Sequence, residues 1–204
     1  MPEKREMVTI FIEGDTEIEF YNKLLSILRK KNGGKLYCDI EVKNVKGIGN
    51  YKNKVCRVFE KAIKPKYPNR DYTVVLCYDS DVFEYNSKPP VDLADVSKTL
   101  KQIGATCVEQ VKAVSSIEDW FLYDIDGLRR YLKISPNNKL GKFKGQKGLA
   151  QLFLKSNKTY IKGTKCNGLV ECLDVEKILP KICSDIRPLC NAVGLNCDKN
   201  KLCK

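Results

Sequence analysis

Histidine is missing altogether from the 204 residues. Its absence removes Ser-His-Asp triads, Cys-His dyads and histidine-built metal sites, leaving carboxylates, lysines and bound cations to carry any chemistry. Long apolar runs are missing too, and nothing approaches the roughly 18–20 residues that a membrane span needs. The opening Met1–Glu6 has no apolar core of the signal-peptide kind, because the run Met7–Ile12 is short and ends at Glu13. A cytoplasmic protein without a membrane partner is the expectation. No Walker motif, Cys-x-x-Cys pair, internal repeat or low-complexity segment occurs. The ten cysteines would suggest a disulfide framework in a small secreted chain, but without a secretion signal they read as reduced thiols. Cys38, Cys56 and Cys77 lie among apolar neighbours as small hydrophobes. Six later cysteines, Cys166 to Cys203, raise the question of zinc, which the missing histidine and the spacing disfavour.

Positive charge is plentiful. Lys+Arg 37 against Asp+Glu 25 leaves +12, an excess that favours a polyanionic partner, nucleic acid before a membrane surface. With 43% apolar residues, the chain is long enough for one ordinary domain with a small appendage.

The chain is organised around Tyr72–Phe83. Its apolar core from Thr73 to Tyr78 is unbroken rather than alternating, as in a parallel strand buried on both faces. The run ends in Asp79-x-Asp81. Met7–Ile12 is a second such run, ending in Glu13-Gly14-Asp15-Thr16-Glu17, with a helix to follow from the spacing of Ile18, Tyr21, Leu24, Leu25 and Leu28. Asp15 or Thr16 is the expected cap of that helix. Further strands are expected at Leu36–Val45 and Ala105–Val111. Helices are expected near Lys54–Ile63, ended by Pro65 and Pro68, and from an Asp92 cap to Ile103, with a loop at Asn86–Pro90. Lys46–Lys52 forms a basic, glycine-containing loop that matches no phosphate fingerprint, so a contact with a nucleic-acid backbone is its better reading. Ser115 or Ser116 caps a later helix whose first turn holds Glu118 and Asp119, a role that by itself accounts for both acids. Trp120, Phe121 and Leu128 supply its core-facing stripe.

From Arg129 to Lys165 eleven residues are basic and none is acidic. A solvated lysine-rich face usually carries compensating acids, so Arg129, Arg130, Lys139, Lys142, Lys144 and Lys147 are expected to form a nucleic-acid track. Beyond residue 166 a cysteine-rich, helical extension is expected to pack on the domain of residues 1–165, with Pro180 and Pro188 breaking or kinking it.

Alternating strands and helices predict an α/β fold with a mostly parallel sheet flanked by helices. If the first and central strands are neighbours, Glu13, Glu17, Asp79 and Asp81 share one edge, and such a group of like charges calls for a divalent cation. These residues resemble the TOPRIM family, nearest its OLD-family nuclease and RloB-like branches. The likeness runs through Glu13-Gly-x-Thr-Glu17 with Tyr21, Asp79-x-Asp81, Ser116 with Glu118 and Trp120, and Tyr160-x-Lys162, over roughly residues 7–165. It implies a TOPRIM-like, Rossmann-like domain acting as a Mg²⁺- or Mn²⁺-dependent endonuclease on DNA or RNA in bacterial anti-phage defence. It further implies that Glu13, Glu17, Asp79, Asp81 and Glu118 hold the metal. In that reading Glu13 is the general acid/base, Asp79 and Asp81 belong to the catalytic set, and Lys162 meets charge on the phosphoryl group. Relatives of the OLD kind carry an ATPase, so a separate ATPase or other defence-system protein is an expected partner, as is a second copy of the chain. The alternatives are a non-catalytic nucleic-acid-binding or scaffold TOPRIM module, or another phosphoryl- or sugar-transfer enzyme using Asp-x-Asp.

Overall fold

Met7–Ile12 and Tyr72–Tyr78 become the two central strands of the sheet because both their faces find apolar cover. In the computed structural model, which describes residues 5–84, 89–114 and 116–197, they belong to β1 (Glu6–Ile12) and β3 (Asp71–Asp79). β2 (Cys38–Asn44) and β4 (Cys107–Ala113) flank them, giving a four-stranded parallel sheet of order β2-β1-β3-β4. Glu6 pairs with Cys38 on one side and Asp71 on the other, and Thr73 pairs with Cys107.

The two-residue pleat divides the core in two. Val8, Ile10 and Ile12 of β1, with Val75 and Cys77 of β3, face α1 (Asp15–Lys31) and the C-terminal helices. Met7 and Phe11, with Tyr72, Val74 and Leu76, face the other layer. The stripe Phe20, Tyr21, Leu24, Leu25 and Leu28 seats α1 on the first face. The second face is covered by Leu93–Gln102, capped by Asp92, and by one continuous helix over residues 51–66.

That longer helix buries Tyr51, Val55, Phe59 and Ile63, at strict four-residue spacing. In a pure α-helix such a stripe drifts by about 40° at each step. Here Tyr51–Val55 and Phe59–Ile63 are π-helical, and the wider turns hold the stripe against the sheet. The helix runs on to Lys66, so Pro65 sits inside its last turn instead of ending it.

Other expected boundaries shift slightly. β2 is shorter than Leu36–Val45. β4 starts two residues late, because Ala105 N–H closes the turn onto Leu100 and Thr106 N–H is the first to reach β3, at Tyr72. Gly14, not Asp15 or Thr16, is the N-cap of α1. Ser115 and part of the Asn86–Pro90 loop lie outside the described residues.

The tail forms Leu169–Cys172, Val175–Ile182 and Arg187–Ala192. Pro180 lies within the second of these and Pro188 in the first turn of the third, so the interruption falls between them. Ile178, Leu179, Ile182, Leu189 and Cys190 share one buried cluster with β1 and α1. Among the described residues no helix is long and apolar enough to cross a membrane. Cys38 and Cys77 are buried thiols and Cys56 is half-buried, whereas Cys183 is disulfide-bonded, against the expectation of reduced thiols throughout.

Candidate functional site

Chain order leaves β1 outward to β2 in one direction and leaves β3 outward to β4 in the other. The carboxyl ends of β1 and β3 therefore flank the switch point of the sheet, where open α/β folds leave a crevice. Glu13 follows β1 and Asp79 ends β3, so the order of strands alone brings them together. Underneath, the buried Tyr51 hydroxyl donates to the carbonyls of Phe11 and Cys77, tying the two strand ends to one side chain.

Glu13 accepts from the Asp79 N–H through Oε1 at 3.3 Å and from the Ile48 N–H through Oε2 at 3.1 Å. Asp79 Oδ1 accepts the Ile117 N–H at 2.9 Å, and this strand-end carboxylate caps the helix Ile117–Leu122. Ser116 does occupy that helix's N-cap position, but its hydroxyl makes no capping bond. Glu17 Oε2 reaches back to the Glu13 N–H at 3.2 Å. Glu118, on the first turn of Ile117–Leu122, is buried and accepts from the Tyr160 hydroxyl at 2.8 Å.

Among the described residues, one cation is ion-paired to these acids. Lys162 Nζ lies 2.7 Å from Asp79 Oδ2 and 3.8 Å from Asp81 Oδ2. The backbone of its segment is held against the start of α1 by one side chain: the Thr16 hydroxyl donates to the Thr164 carbonyl at 2.9 Å and accepts the Cys166 N–H at 3.1 Å. A Cβ on Gly14 would come within 3.2 Å of the Gly163 Cα, so the approach needs glycine at position 14; Gly163 has open space around it, and its φ of +80 is what favours glycine there.

Crowding sets the electrostatics. Burial pushes Asp79 up to about 7, with Glu118 and Glu13 adding to the rise and Lys162 opposing it. Burial, then repulsion from Asp79 and Glu13, raises Glu17 well above the carboxylate range. Burial also raises Glu13, against the hydrogen bond from Asp79 and the charge of Lys162. For Lys162 burial opposes the charge, yet Asp79, Glu118 and Asp81 outweigh it, and the ammonium keeps its proton above the usual lysine range.

An open cleft of about 830 Å³ lies over this group, lined by Glu13, Glu17, Asp81 and Lys162 together with Lys46 and Gln146. Its oxygen-rich donor set suits a hard divalent cation in kind. Asp81 Oδ1 and Glu118 Oε2 are buried with no hydrogen-bond partner among the described residues, which is the state of oxygens that have a ligand still to meet. In placement the site is not a finished cage. Among the described residues no three carboxylate or thiol groups are gathered closely enough to hold an ion.

Compared with known proteins, the chain matches no family model, no curated protein and no solved structure.

Glu13, Glu17, Asp81 and Lys162 thus line one crevice, with Asp79 buried against Lys162 and Glu118 buried against Tyr160. The six basic residues are not kept together. Arg129 donates to the carbonyls of Ser135, Pro136 and Asn138, closing its own loop. Arg130 donates to the Cys172 carbonyl and lies 3.8 Å from the buried Asp124. Lys139 and Lys142 line hollows away from the acids, while Lys144 and Lys147 border the crevice. A stretch of like charge carries no information on which residues its folded backbone spends internally. Lys46 in the basic loop is ion-paired to Asp15 at 2.8 Å. Asp119 and Gln146 were not singled out as site residues. Asp119 abuts Glu118 in sequence, and that adjacency was the available signal; for Gln146 there was none.

Proposed function

We propose that this chain is a TOPRIM-like, metal-dependent endonuclease that hydrolyses phosphodiester bonds of DNA or RNA, in an anti-phage setting and alongside a partner ATPase or other defence-system protein. The observation that carries the reading is the meeting of five carboxylates with Lys162 at the switch point of a parallel sheet. A purely structural cluster would pair its charges. Among the described residues the acids outnumber the cation beside them, and Asp81 Oδ1 and Glu118 Oε2 are buried with no hydrogen-bond partner.

Glu13, Glu17, Asp79, Asp81 and Glu118 are the residues that would hold Mg²⁺ or Mn²⁺, which when bound supplies charge neutralisation and an acidified water. Hydrolysis then adds water across a P–O bond: the water oxygen joins phosphorus, the bond to the leaving oxygen breaks, the water loses a proton and the leaving oxygen gains one. Glu13 is the residue to take the water's proton, since its raised pKa makes it a stronger base than an exposed glutamate. Lys162 keeps its charge and meets the negative charge on the phosphoryl oxygens. Its ion pair with Asp79 at 2.7 Å holds the ammonium in place before substrate arrives.

The absence of a formed three-carboxylate cage favours a second reading, a nucleic-acid-binding module that keeps the shape without the chemistry. The test is cleavage of supercoiled plasmid and of single-stranded RNA with Mg²⁺, Mn²⁺ or EDTA, by wild type, Glu13→Gln and Asp79→Asn. Metal-dependent cleavage that falls about 10²–10⁴-fold in both variants, with folding intact, is expected. Binding without cleavage by wild type, or equal cleavage by all three, overturns the nuclease reading.

A further inference from the structure

Of the six basic residues expected to track nucleic acid, Lys144 and Lys147 line a cleft that adjoins the acidic crevice. This second cleft, of about 460 Å³, opens beside the first and shares Asp81 and Gln146 with it. One wall is the start of the ten-residue helix Gly145–Leu154, which has no acid in its first turn and is flanked by exposed Lys144 and Lys147. The Gly145 N–H is used, donating to Asp119 Oδ1 at 2.7 Å. The amides of Gln146 and Lys147 belong to the first turn, where no intrahelical acceptor exists, and the helix dipole adds positive potential there.

An independent feature points the same way. The Ser116 hydroxyl lines this cleft, is only 1% exposed, and has no partner among the described residues. A buried hydroxyl without a partner is costly, and a phosphate oxygen would satisfy it. Asp81 and Asp119 line the cleft as well: Asp81 Oδ2 faces Lys162 and Asp119 Oδ1 accepts the Gly145 N–H, while Asp81 Oδ1 and Asp119 Oδ2 are buried with no hydrogen-bond partner among the described residues.

We propose that the second cleft is a phosphate subsite for a polynucleotide backbone, receiving the phosphate next along the strand from the one over the carboxylates. Lys144 and Lys147, the open first-turn amides and the Ser116 hydroxyl are its donors. The proposal rests on the nuclease reading for the identity of the neighbouring site.

The experiment follows binding of a ~12-nucleotide fluorescent single strand to the full chain in EDTA, by anisotropy, between roughly 50 and 200 mM salt. Lys144→Ala and Lys147→Ala should each reduce the slope of log Kd against log salt by about 0.7–0.9. Lys139→Ala and Lys142→Ala should leave the slope unchanged, and Ser116→Ala should weaken binding several-fold at constant slope. Urea transitions of each variant confirm folding. Inorganic phosphate and a mononucleotide, tested as competitors, separate a strand from a free phosphate. Weak competition at millimolar concentration supports the strand, and displacement by either at micromolar concentration overturns it. An unchanged slope in both Lys144→Ala and Lys147→Ala overturns the subsite even where wild type cleaves. Reduced slopes with no metal-dependent cleavage by wild type uphold the subsite and sink the nuclease reading instead.

Discussion

The buried carboxyl of Asp79 makes a quantitative prediction about stability that involves neither substrate nor metal. In the folded chain it holds its proton up to about pH 7, against an ordinary value of 3.8. Between those values the folded state binds more protons than the unfolded one, so stability falls as pH rises. The contribution is fully present below about pH 4 and is lost as pH passes through about 7. At about 1.36 kcal/mol per pH unit, Asp79 alone removes roughly 3 kcal/mol of stability between pH 5 and pH 8. Asp79→Asn keeps an oxygen for the Ile117 N–H and cannot ionise. The variant should therefore lose about 3 kcal/mol less than wild type over that interval, a difference of about 1.5 M in urea midpoint for a slope near 2 kcal/mol/M. Glu13 and Glu17 are raised as well and steepen both curves, which is why the difference between the two proteins is the quantity to read. Urea titrations monitored by Trp120 fluorescence, in EDTA at pH 5, 6, 7 and 8, supply it. Parallel curves for wild type and variant would show that Asp79 is solvated, and the crevice as described here would be wrong.

Two further predictions probe the same crevice. Lys162→Met strips the ammonium paired to Asp79 and should cost roughly 2–4 kcal/mol at pH 8, less at pH 5 where Asp79 is protonated; if the crevice takes a divalent ion, millimolar Mn²⁺ should recover more stability in this variant than in wild type, as read by melting temperature. Gly14→Ala places a Cβ 3.0 Å from Glu17 Oε1 and 3.2 Å from the Gly163 Cα, so it should destabilise by about 1–3 kcal/mol, whereas Gly49→Ala, with open space around it, should change stability by less than about 0.5 kcal/mol.

Much of the fold was legible because local patterns report burial. Unbroken runs at Met7–Ile12 and Thr73–Tyr78 mark strands covered on both faces, and both are central. The acids at their ends and the stripe of α1 are equally local features. Boundaries slipped where a tertiary contact decides them: β4 begins where Thr106 meets Tyr72, and α1 begins at Asp15 because Thr16 spends its hydroxyl on Thr164. The helix over residues 51–66 passes Pro65 because the Tyr67 N–H donates to the Ile63 carbonyl at 3.0 Å, closing a last turn that needs no N–H from the proline.

The sequence by itself determined that strands end in carboxylates and that a long segment carries only positive charge, because both are properties of consecutive residues. Only the tertiary structure decided which charges meet. Strand order puts Glu13 against Asp79, and a backbone contact between Gly14 and Gly163 swings Lys162 over them from far along the chain. The same packing spends Arg129 and Arg130 on carbonyl groups while leaving Lys144 and Lys147 beside the acids. Charge acts through space, and the distances are set by how the layers close rather than by spacing along the chain.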